Sequence, residues 1–133
     1  MLIMPLLFIT LMRGADFQDC ASVRTGTFYF YPRNSMRSYR IERSAAQQTD
    51  VNLNTGDTLL SSIQWTDSCT YTLTFISGTA VRPLFKGKTS TFKIDYVTPD
   101  YYTVRMIDAV TLGLGARDTV WHTEHMQDWR IRK

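Results

Sequence analysis

Cys69-Thr70-Tyr71-Thr72-Leu73-Thr74-Phe75-Ile76 is the stretch whose reading decides the fold. Cys69, Tyr71, Leu73 and Phe75 fall on one side of an extended chain, and Thr70, Thr72 and Thr74 on the other. A helix would scatter both sets around its circumference, whereas strand side chains alternate with a period of two. One packed face and one wetted face mark an antiparallel strand.

Working outward, the pattern repeats. Thr58 to Trp65 alternates through Leu59, Ile63 and Trp65, and Thr66-Asp67-Ser68 turns the chain into the next strand. Thr91 to Val97 puts Phe92, Ile94 and Tyr96 on the packed side. After Pro99-Asp100, the residues Tyr102, Val104 and Met106 continue that face. Toward the N-terminus, Arg24 to Tyr31 has Gly26, Phe28 and Phe30 on one face and Tyr29 and Tyr31 on the other. Ser38 to Arg43 follows, with Tyr39 and Ile41 inward. Gln47 to Leu53 separates Thr49, Val51 and Leu53 from Gln48, Asp50 and Asn52, and Asn54-Thr55-Gly56-Asp57 makes a tight turn. A weaker strand runs from Arg117 to His122. About eight strands joined by short turns predict an all-β, antiparallel up-and-down meander. Closing it into a small barrel removes the exposed edges of an open sheet. A two-sheet β-sandwich is the alternative.

The chain has 133 residues and 44% hydrophobic residues, enough for one domain with its own core. The net charge of +3 is small, and the Lys and Arg residues are scattered, so nothing points to nucleic acid. Arg37, Arg40 and Arg43 read as a solvated strand edge in preference to a phosphate site. Met1 to Met12 is apolar but too short to span a bilayer, which needs about 20 apolar residues. Residues 1–15 read as an imperfect signal peptide without a basic leader, and 16–133 as a single domain with a short C-terminal tail. The expected location is therefore secreted or periplasmic, and the expected state a monomer without a stable membrane span. Cys20 and Cys69 are an even pair behind an export signal, which suggests one disulfide; two buried free thiols are the alternative.

No constellation for catalysis emerges. There is no G-x-S-x-G elbow, and no inward pair of carboxylates stands out, since Glu42 and Asp95 fall on outward positions. His122-Thr123-Glu124-His125 has metal-ligand character but lacks a third signalled ligand, so no metal or other cofactor is expected. The tail places Trp121, His125 and Trp129 at helical spacing. An enzyme is not the expected reading. A binding barrel is, with Tyr39, Ile41, Arg43, Trp65 and Tyr71 as candidate ligand-binding residues; the alternative is a structural or protein-interaction domain of the cell envelope with a filled core. Arg43 with Glu42 and Gln47 would either line the barrel mouth or form a surface ion pair. Trp65 would serve as a core plug beside the disulfide or as a stacking platform. Tyr29, Tyr31, Tyr101 and the C-terminal tryptophans would form an exposed aromatic patch. Expected partners are a small hydrophobic ligand or an envelope protein.

Three segments together resemble a group of small exported proteins of Bacteroidetes. They are Cys20 with Arg24-Thr25-Gly26-Thr27-Phe28, Ile41-Glu42-Arg43 with Gln47-Gln48, and Ile63-Gln64-Trp65-Thr66-Asp67-Ser68-Cys69-Thr70-Tyr71-Thr72-Leu73. With Gly87-Lys88, the resemblance covers roughly residues 20–104. Its T-G-T-F and W-x-x-x-C-x-Y-x-L motifs are structural and imply no activity. The general appearance is similar to lipocalins, with Phe28 where their opening strand carries the tryptophan of G-x-W; that likeness implies a ligand held inside a barrel.

Overall fold

The computed structural model describes residues 19–33, 35–80, 83–108 and 117–124. The expected leader, His125, Trp129 and the tail lie outside these residues. Eight strands form: β1 (Gly26–Phe30), β2 (Tyr39–Arg43), β3 (Gln47–Asn52), β4 (Thr58–Trp65), β5 (Thr70–Gly78), β6 (Thr89–Val97), β7 (Tyr101–Met106) and β8 (Asp118–Trp121). They pair antiparallel in chain order, and β8 returns to β1, so the sheet is a closed up-and-down barrel. The seam between β1 and β8 is short, made by Tyr29 opposite Trp121 and Phe30 opposite Val120. The sandwich alternative is thereby set aside, and no edge is left for the arginine trio to occupy.

Short 3₁₀ turns span Cys20–Val23 and Pro83–Phe85. The first starts at Asp19, whose side chain caps the Ala21 N–H. It brings Cys20 to Cys69, and the two form a disulfide with Cα atoms 5.3 Å apart. Both thiols are used, which removes the free-thiol alternative.

Because connections alternate between the two ends, the β1–β2, β3–β4, β5–β6 and β7–β8 loops share one end. The β2–β3, β4–β5 and β6–β7 turns share the other with the Cys20–Val23 turn. The second end is the closed one. Val23, Phe28, Ile63, Ile94, Val97 and Tyr102 pack there. Gly26 holds φ +133°, a conformation that favours glycine, and a Cβ at that position would lie 3.3 Å from the Phe28 ring. The glycine thus lets Phe28 fold over the start of its own strand.

Two bulges adjust the pattern read from the sequence. In β5, Leu60 pairs with Ser77 but Ser61 with Phe75, leaving Ile76 as the extra residue. In β6, Ile94 pairs with Val104 but Tyr96 with Thr103, leaving Asp95 as the extra residue. This second bulge corrects the expectation that Tyr96 shares the packed face. Tyr96 turns outward against Tyr101, and Val97 takes the buried position.

Candidate functional site

The floor of the barrel is organised by Arg43. It was expected at a surface edge or in a surface ion pair, and the structure corrects both readings, because Arg43 is only 4% exposed. Its Nη1 donates to the Val23 carbonyl at 2.7 Å, its Nε to Gln48 Oε1 at 3.0 Å, and its Nη2 to the Tyr102 hydroxyl at 3.0 Å. The guanidinium also lies 5.1 Å from the Phe28 ring centre and 5.0 Å from that of Tyr71. Burial works against its charge. The hydroxyls of Tyr102 and Tyr71, with Asp50, outweigh that cost, so its pKa is raised and it stays protonated. Glu42 pairs instead with Arg40 on the outer wall, Nε to Oε1 2.9 Å, an exposed pair that contributes little. Glu42, Gln47 and Arg43 do meet, around a shallow hollow of about 380 Å³ next to Gly26 and Thr27. That hollow lies at the closed end, away from the barrel mouth.

Gln48 relays from the arginine into the interior. Its amide donates to Asp50 Oδ1 at 3.0 Å. Asp50 accepts no other hydrogen bond from the described residues. Burial pushes its carboxyl up to about 6, against the opposing pull of Gln48 and Arg43. Tyr71 and Tyr102 are shifted upward, chiefly by burial, and remain neutral hydroxyls.

Above this floor the barrel is hollow. A cavity of about 790 Å³ reaches from Tyr71, Tyr102 and Gln48 up to the loops, where Pro32, Arg37, Thr55 and Ala80 border it. Ile41, Leu73, Phe92, Val104, Met106 and Val120 supply apolar wall, one or two from each of β2, β5, β6, β7 and β8. Polar groups enter at chosen points: Asp50 and Asn52 from β3, Asp118 from β8, and Asp57 at the rim. Asp57 is occupied by hydroxyls, accepting from Thr55 at 2.8 Å and Thr79 at 3.0 Å. Asp118 is raised by partial burial, which Arg33 opposes. Asp50 and Asp118 are inward carboxylates that did not stand out in the sequence.

Among the sequence candidates, Tyr39, Ile41 and Tyr71 line the cavity. Arg43 lies beneath it, joined through Gln48 and Tyr102. Trp65 does not line it. Its ring packs 4.9 Å from Tyr71, with the Arg24 guanidinium 5.0 Å from its centre, so it plugs the floor near the disulfide. His122 packs edge-on against Phe28, and no group of three metal-binding side chains forms among the described residues. Tyr101 and Trp121 pack against each other at a tilt on the outer wall, ring centres 5.2 Å apart, as part of an aromatic strip.

Gln48, Asp50, Tyr102 and Asp118 were missed. The signal for two of them lay in the hairpin. The β2–β3 register pairs Arg43 with Gln48 and Ile41 with Asp50, and directly opposed residues share a face. Once Ile41 is inward, Asp50 has to follow it. Among the described residues no helix is long and apolar enough to cross a membrane. No family model, curated protein or solved structure matches the chain.

Proposed function

We propose that the protein is a binding module that holds one small amphipathic molecule inside the barrel. The observation that carries this reading is the cavity of about 790 Å³, walled by apolar side chains and bordered by loops at one end only. Ligand pockets typically enclose roughly 300–1,000 Å³ with a few placed polar groups. Here those groups are Asp50 and the Tyr71 and Tyr102 hydroxyls at the floor, and Arg37 at the rim. An apolar body would lie against Leu73, Phe92 and Val104, and a hydrogen-bonding group would reach Asp50 or the hydroxyls. Export into an oxidising compartment, and kinship with small exported Bacteroidetes proteins, belong to the same proposal. The disulfide and the motif residues support them.

The test is a filled variant. Leu73→Trp places an indole in the cavity from a wall position on β5. Titration with a solvatochromic naphthalene sulfonate probe should show enhanced, saturable emission with the native protein and a loss of at least about tenfold in affinity with the variant. Native mass spectrometry of protein purified from its source should show a bound small molecule. Equal probe affinity in both proteins, at matched melting temperature, would remove the cavity from consideration.

A further inference from the structure

Large apolar side chains exposed singly on a surface are ordinary, but their placement here is not random. Among the described residues they are Met36 at 67%, Leu84 at 76%, Phe85 at 49% and Ile107 at 38% exposure. Met36 belongs to the β1–β2 loop, Leu84 and Phe85 to the β5–β6 loop, and Ile107 to the β7–β8 loop. The meander delivers all of these loops to the cavity end. The closed end carries no exposed side chain of this kind among the described residues.

The charges divide the same way. At the cavity end the loops present Arg33, Arg37, Lys86 and Lys88 against Asp57 and Asp108. Both acids are engaged within the fold, Asp57 by threonine hydroxyls and Asp108 by the Thr91 N–H at 2.9 Å. At the closed end the described turns carry Asp19, Asp67, Asp100 and Glu124, with Arg24 held over Trp65, Lys93 acting on Asp67 and Arg43 buried beneath them. Among the described residues the loops are therefore polarised along the barrel axis, basic and apolar-tipped at the mouth and acidic at the exposed turns of the closed end.

We propose that the mouth docks on an anionic lipid bilayer, with the loop tips in the interface and the cavity facing the lipid. Apolar side chains beside cations match such a surface: the tips enter the headgroup boundary while Lys and Arg meet the phosphates. The acidic turns of the closed end are repelled by the same surface, which favours one orientation. A protein partner with an acidic face offers the charge but no boundary for tips distributed over separate loops. This docking does not depend on what fills the cavity, so it stands or falls apart from the binding reading.

The test is co-sedimentation of the full chain with vesicles of phosphatidylcholine alone and of phosphatidylcholine mixed with phosphatidylglycerol. Binding is expected to the mixed vesicles at low salt and to fall steeply as salt rises. Lys86→Glu with Lys88→Glu should weaken it by at least about tenfold. Leu84→Ser with Phe85→Ser should weaken it even at low salt, with the melting temperature unchanged because these side chains are exposed. As a control, Asp67→Asn at the far end should leave binding as it is. Equal binding to both vesicle types, binding to neither, or insensitivity to both double variants would overturn the proposal.

Discussion

Replacing Arg43 by Met is the sharpest probe of how the barrel floor is held. Methionine fills much of the arginine's volume but donates no hydrogen bond. The change leaves the Val23 carbonyl, Gln48 Oε1 and the Tyr102 hydroxyl without their guanidinium donor. Each buried acceptor left unsatisfied costs about 1–3 kcal/mol. The Phe28, Tyr71 and Tyr102 rings also lose a desolvated cation, at about 0.5–2 kcal/mol each. Against this, the folded protein no longer has to strip water from a guanidinium, which returns several kcal/mol. Rotation of the Tyr102 hydroxyl toward another acceptor recovers part of one bond. The net expected loss is about 3–5 kcal/mol, a large share of a stability of about 5–15 kcal/mol. Urea unfolding followed by tryptophan fluorescence measures it, provided the slope with denaturant is unchanged. Gln48→Leu should cost less after Arg43→Met than in the native protein, because the two side chains share one bond. A loss below about 1 kcal/mol, or strict additivity with Gln48→Leu, would refute the view that Arg43 organises the floor.

Asp50→Asn tests the buried carboxyl. Its folded pKa of about 6 stands above the ordinary value of 3.8, so the fold favours the protonated form, and this group's contribution to stability is fullest below pH 4 and declines as pH rises through 6. The decline is at most about 3 kcal/mol, less to the extent that cavity water reaches the carboxylate. The variant should lack this decline and be the more stable protein at neutral pH, and superimposable melting curves for the two proteins across pH 4–7 would argue against it. Cys20→Ala should lower stability by roughly 4 kcal/mol under oxidising conditions on the chain-entropy account, since the bridge spans 49 positions, and should change little in reductant. Equal losses in both conditions would show that only packing matters there. Gly26→Ala should cost about 1–3 kcal/mol by forcing a side chain into φ +133° against the Phe28 ring, and an unchanged melting temperature would mean the strand start relaxes freely.

Alternation at Cys69–Phe75 was enough to predict the meander, because a period of two survives in any antiparallel sheet and does not depend on which strands meet. The bulge at Asp95 was not legible. One added residue reverses every later side chain, and nothing in Phe92-Lys93-Ile94-Asp95-Tyr96-Val97 announces it. In the site, Tyr39, Ile41 and Tyr71 were readable as inward residues. Arg43 was misread because a cation is normally placed in water. Its burial depends on a carbonyl from the Cys20–Val23 turn and a hydroxyl from β7, 20 and 59 positions away in sequence. Gln48 and Asp50 were obscured because β3 turns its polar face inward, the reverse of the usual pattern, since the hollow interior accepts polar groups that a filled core would exclude.

The short seam between β1 and β8 bears on how the chain reaches this shape. Every other strand pairing joins neighbours in sequence and can form as a local hairpin. The seam alone joins Tyr29 to Trp121, 92 positions apart, through only two opposed pairs. Bringing those ends together costs about 2 kcal/mol more than closing a ten-residue loop, and few contacts reward it. Folding speed should therefore be governed by one late ring-closing event after rapid zipping of the meander. Among Tyr29, Phe30, Val120 and Trp121, the amides whose N–H donates across the seam should be the first barrel amides to exchange with deuterium in the native protein.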